Sequence, residues 1–159
     1  MPIFVLARKI ASERRNEKPN LLADILMCLA ALGVHTSSAS ETIEVSREHL
    51  ELRQKAYDSC AASGHIPLQV QYDRAMGIAT MAMAYNTAGE FERAVLFAEQ
   101  ALQEYKSFEL YRNWKTIPYF AVAHAGWAYW SLGRYEEAAD VLLEAISADR
   151  RKAAAGSYG

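Results

Sequence analysis

Four histidines, two cysteines and three tryptophans are the side chains of this sequence best suited to chemistry, and their spacing decides which kind is open to them. His35, His49, His65 and His124 are dispersed, without HExxH or a neighbouring cysteine pair, so no zinc site is written here and no metal or other cofactor is expected. Cys28 and Cys60 form no CxxC; they read as small buried apolar residues of a reducing, cytoplasmic compartment. A covalent mechanism needs a nucleophile, a base and an orienting group, and neither GxSxG nor a Cys/His pair stands out. The GxxxxGK[ST] loop that would cradle a nucleotide phosphate is missing too, so catalysis is not expected. The spacing that does stand out suits contact. Trp127 and Trp130 lie three apart and share a helix face, where tryptophan offers a large area at little entropic cost.

The elements that would carry these residues follow from the prolines and glycines. Pro19, Pro67 and Pro118 each precede a long apolar-periodic run, and proline suits the first turn of a helix, where its missing N–H has no intrahelical partner. They predict three helical hairpins. The first helices run over about 19–32, 67–88 and 118–132. The second run from a cap at Ser40 to Ala62, from Glu90 or Phe91 towards Tyr111, and over 135–152. Gly33 and the polar run after it predict a loop, and Gly64 and Gly89 close helices. Val45, His49 or Leu50, Leu52, Ala56 and Cys60 are expected on the inner face of the 40–62 helix. Tyr105, Phe108 and Tyr111 recur every three residues, as a packed face does. No strand pattern competes.

Around residues 19–152, the predicted helical domain, lie a basic helix or partial repeat at 1–18 and a loose tail at 153–159. Residues 1–20 hold Arg8, Lys9, Arg14, Arg15 and Lys18 against Glu13 and Glu17, read as a solvated helix face. With 159 residues, 52% of them hydrophobic, the chain has length and apolar content for one continuous core. A net charge of −2 gives no general attraction to nucleic acid. The apolar run Leu21–Val34 contains Asp24 and falls short of the roughly 20 residues a membrane span needs, so no membrane partner is expected.

The last two hairpins are copies of one pattern. Residues 78–102 and 122–146 agree at Ala79/Ala123, Ala84/Ala128, Tyr85/Tyr129, Gly89/Gly133, Glu92/Glu136, Ala94/Ala138 and Ala101/Ala145, with Phe91 facing Tyr135. The spacing between copies, 44 from Gly89 to Gly133, suits helical-hairpin arrays. Gly126, Tyr129, Gly133, Ala138 and Ala145, and likewise Ala82, Tyr85, Gly89, Ala94 and Ala101, resemble the small and aromatic positions of the tetratricopeptide repeat. The first hairpin is a poor copy, with Ala30 alone in place. GWAYWSLGRYEEAADVL, AISADRRKAAAG and HLELRQKA are similar to longer-period arrays of large fungal signalling proteins and to the helical sensor region of MalT-type regulators.

That resemblance implies an all-α solenoid of about three antiparallel hairpins that binds a protein or peptide. It implies that Met76, Ala79, Met83 and Asn86 line a concave groove with Phe120, Ala123, Trp127 and Trp130, and that His124 stands at its edge. An apolar peptide or amphipathic helix is the implied ligand. Of the two tryptophans, Trp130 is the one expected to pack on a neighbouring helix. A carboxylate clamp of Lys and Asn is argued against, since Ala79, Met83 and Ala123 occupy the matching positions. The alternative is a structural, oligomerising or sensor segment of a larger signalling protein with no ligand of its own. Its motive is the apolar side of the last helix, with Val141, Leu142, Ala145 and Ile146, which repeat arrays normally shield.

Overall fold

In the computed structural model the described residues are 19–36, 38–107 and 118–154, with Lys9, Ser12 and Glu13. They form six α-helices: α1 (Pro19–Thr36), α2 (Ala39–Ala62), α3 (Leu68–Ala88), α4 (Phe91–Ser107), α5 (Tyr119–Ser131) and α6 (Tyr135–Ala154). Among the described residues no strand occurs, and no helix is long and apolar enough to cross a membrane. The basic segment, Phe108, Tyr111 and the tail from residue 155 lie outside the described residues, apart from the three named.

Each helix packs on its successor, α3 also packs on α1 and α5, and α4 packs on α5. The result is the expected all-α solenoid of three hairpins: α1, α3 and α5 touch in one layer, and α2, α4 and α6 are their return helices.

The copied hairpins turn identically. Gly89 and Gly133 take φ of 75° and 74°. The next residue donates to the tyrosine carbonyl five back, Glu90 to Tyr85 and Arg134 to Tyr129, at 2.9 Å each. This Schellman closure needs a left-handed residue, which glycine supplies without a Cβ penalty. Beneath the turns, Met81, Ala82, Tyr85, Ala94, Val95 and Ala98 pack with Ala125, Ala128, Tyr129 and Ala138. Alanine dominates because helices this close leave no room for larger side chains. Ala75, Ile78, Ala79, Ala101, Tyr105 and Ala121 continue the core towards the other end.

Several boundaries differ from expectation: Pro67 and Pro118 are the N-cap residues before α3 and α5 rather than members of their first turns, and Leu132 is the C-cap of α5. Helix α1 continues through Gly33 to Thr36, since one glycine costs a helix only about 1 kcal/mol. Ser38, not Ser40, caps α2: its Oγ accepts from Glu41 N at 3.3 Å while its own N–H donates to Glu41 Oε2 at 3.1 Å. The reciprocal bond needs glutamate three residues on, which Ser38 has and Ser40 lacks. Helix α6 reaches Ala154, two residues past its expected end.

Of the expected inner face of α2, His49 and Leu52 are buried and the rest is corrected, as is Cys28 of α1, which is exposed rather than buried. Val45, Leu50, Ala56 and Cys60 are half-buried, while the fully covered stripe is Thr42, Ser46, His49 and Arg53, with Leu52 beside it. Arg53 donates to Asp24 of α1 at 2.5 Å and to Asp73 of α3 at 3.1 Å, tying the first three helices together. Its Nε reaches His49 Nε2 at 3.4 Å, and His49 Nδ1 lies 2.9 Å from Thr80 Oγ1. Because Thr80 spends its proton on the Met76 or Gly77 carbonyl, His49 is the neutral Nδ1–H tautomer. Burial, then the Arg53 charge, lowers its pKa to about 4.

Candidate interaction surface

The sequence-predicted site residues fall into two groups. On α3, Ala79, Met83 and Asn86 are buried, and Met76 is half-buried. They do not form an open wall: α5 lies against α3, with Ala121 in one cluster with Ala79 and the His124 carbonyl bonded to Asn86. On α5, Ala123 is exposed, Phe120 and His124 are half-buried, and Trp127 and Trp130 are 43% and 64% exposed. Trp130, expected to pack on a neighbouring helix, is thus the more open of the two, because its side of α5 meets no other helix among the described residues.

His124 joins the two groups. Its ring stands edge-on to Phe120 at 4.6 Å between centroids and 6.1 Å from Trp127. Its carbonyl accepts a 2.9 Å hydrogen bond from Asn86 Nδ2. His124 Nδ1 and Asn86 Oδ1 are buried without a hydrogen-bond partner. Burial lowers the His124 pKa to about 4, so the ring stays neutral at ordinary pH.

The exposed stripe of α5 is Tyr119, Ala123, Trp127 and Trp130, which recur at three- and four-residue steps and so share one side of the helix. Helix α6 carries a second exposed stripe that sequence reasoning only partly resolved. Ala138, Val141 and Ala145 turn inward, whereas Tyr135, Ala139, Leu142, Leu143 and Ile146 turn out. Their spacing, i, i+4, i+7, i+8 and i+11, is a complete amphipathic pattern, the signal that could have found them. Next to these stripes the two helices approach closely: a Cβ on buried Gly126, the neighbour of Trp127, would lie 3.2 Å from Leu142 Cγ. One side of the third hairpin is therefore a broad uncovered apolar face. A monomeric protein rarely exposes a large contiguous patch unless it binds something.

An open cleft of about 390 Å³ between α4 and α6 is lined by Glu99, Glu137, Asp140 and Glu144. Most of these carboxylates are engaged: Tyr129 donates to Glu99, Arg134 pairs with Glu137 at 2.9 Å, and Lys106 pairs with Glu144 at 3.0 Å. Burial and the Glu99 contact push the Tyr129 hydroxyl pKa up to about 12. Among the described residues no group of three or more His, Cys, Asp or Glu is placed to hold a metal ion.

Comparison with known proteins adds one finding. Residues 121–152 match the family model described as the tetratricopeptide repeat. The match runs from the first turn of α5 almost to the end of α6. Neither the curated proteins nor the solved structures give a match. The third hairpin, whose small-residue seam and glycine turn recur in the second, is thus similar to a tetratricopeptide repeat, a helical-hairpin unit, over about a fifth of the chain.

Proposed function

We propose that this chain is a non-enzymatic scaffold that holds a protein partner on the outer face of its third hairpin. The observation that carries this reading is the juxtaposition of Trp127 and Trp130 on α5 with Leu142, Leu143 and Ile146 on α6, all between 43% and 64% exposed. Rigid aromatic and aliphatic side chains on packed helices lose little entropy when a partner covers them, and such anchors carry most of the energy of protein interfaces. Met76, Ala79, Met83 and Asn86 act in this reading as support for α5, with Phe120 and His124 steadying Trp127 from below.

The test is a photo-crosslinking residue introduced at position 130 and, as a control, at the exposed polar position Glu51 on α2. In extract, the chain labelled at 130 should give discrete protein adducts that the Glu51 control lacks. Equal adducts from both positions would remove this face from consideration.

A further inference from the structure

Resting on that reading, we infer that the occupant of the third-hairpin face is an α-helix of a partner protein, lined with alanine or glycine and flanked by basic residues. The chain already contains this interface once. In the copied register, Ala79, Met83 and Asn86 of α3 correspond to Ala123, Trp127 and Trp130 of α5, and Ala98 and Leu102 of α4 correspond to Leu142 and Ile146 of α6. Ala79 and Ala98 are 0% exposed, Met83 4% and Asn86 3%; helix α5 packs on both α3 and α4, clustering Ala121 with Ala79 and Ala125 and Ala128 with Ala98, and its His124 carbonyl accepts from Asn86. Their counterparts on the third hairpin stand open, at 43% for Trp127 and Leu142, 48% for Ile146 and 64% for Trp130. The same seam, offered by the same kind of hairpin, is thus filled by a helix at one end and unfilled at the next.

The side chains set what that helix must carry. Helix α5 meets the second hairpin through Ala121, Ala125 and Ala128, small residues that let two helices approach. On the third hairpin the receiving residues are larger, Trp127 and Trp130 in place of Met83 and Asn86, so the incoming helix needs alanine or glycine opposite them. Glu136 and Asp140 border the α6 stripe, which favours lysine or arginine on that flank of the partner. A second copy fits less well, because a two-fold pairing would set Trp127, Trp130, Leu142 and Leu143 against the same bulky set with only Ala123 and Ala139 to receive them.

The experiment uses the full chain and two fluorescent peptides of one sequence pattern, about 15 residues long, with alanine on one face, leucine beside it and lysine outward. One is held helical by a side-chain staple; the other carries D-residues at its centre and cannot form a helix. Anisotropy titrations should show the helical peptide binding at least ~10-fold more tightly. That binding should be lost in Trp127→Ser/Trp130→Ser and, independently, in Leu143→Glu, with circular dichroism confirming that each variant is folded. Equal binding of both peptides would overturn the helical occupant while leaving the interaction face in place. If neither peptide binds and light scattering shows a dimer that Leu143→Glu dissociates, a second copy is the occupant and the inference fails. If neither binds, the chain stays monomeric and the position-130 crosslinks are absent, the interaction reading falls with it.

Discussion

Asn86 on α3 donates its Nδ2 hydrogen to the main-chain carbonyl of His124 on α5 at 2.9 Å, while its Oδ1 lies buried without a partner. The bond crosses between hairpins, and it can form because α5 carries a carbonyl that the side chain reaches. Asn86→Ala should therefore lower stability by about 1–2 kcal/mol. Asn86→Asp should cost more, since it places a carboxylate 3% exposed beside the carbonyl oxygen that the amide had satisfied. Thermal or urea midpoints compare the two; an aspartate variant as stable as the alanine variant would show that the site admits water.

Acid should weaken the fold before the carboxylates titrate. His49 and His124 both have pKa values lowered from 6.5 to about 4, His49 by burial and Arg53, His124 by burial. For a histidine depressed in this way, the unfolded chain takes up the proton first. The stabilising contribution is present in full above pH 6.5 and is lost as pH falls from about 6.5 to about 4. Each histidine gives a slope of about 1.4 kcal/mol per pH unit at its steepest. Urea titrations between pH 7 and 4.5 should show this decline, and His49→Gln should flatten it by about one proton. An unchanged slope in that variant would place a proton-binding group elsewhere.

Two glycines inside helices should respond oppositely to alanine. At Gly77 a Cβ would meet Leu50 Cδ1 at 3.2 Å and the Leu50 Cα at 3.3 Å; at Gly126 it would meet only side-chain atoms of the half-open Leu142. Both changes gain about 1 kcal/mol of helix propensity. Backbone cannot yield as a side chain can, so Gly77→Ala should be destabilising and Gly126→Ala neutral or stabilising. Chemical denaturation of the pair settles the order.

Met83 and Trp127 occupy the same register in their hairpins yet should behave differently. Met83 is 4% exposed, and truncation to alanine should cost about 2–5 kcal/mol by leaving a cavity under α5. Trp127 is 43% exposed, so Trp127→Ala should move the melting midpoint far less and weaken partner binding instead. A large stability loss at Trp127 would assign it to the core.

The helices, the turn glycines and the duplicated hairpin were legible in the residues, because each rests on interactions within a few positions of itself: apolar period, proline at or just before a helix start, glycine where φ must be positive. On α2 the apolar period pointed to Leu52 and to His49 or Leu50 but not to Thr42, Ser46 and Arg53, since a buried polar stripe has no hydrophobic signature. Its two largest members, His49 and Arg53, are satisfied by Thr80, Asp24 and Asp73 arriving from two other helices, while Thr42 bonds the Ser38 carbonyl.

The candidate site divides in the same way. The sequence alone determined that Met83 and Trp127 hold one register position and that Trp127 and Trp130 share a face. It could not determine which copy of that position is covered. Burial depends on whether another helix packs there, and only the tertiary arrangement, with α5 lying over α3 and α4, closes the seam on the second hairpin and leaves it open on the third.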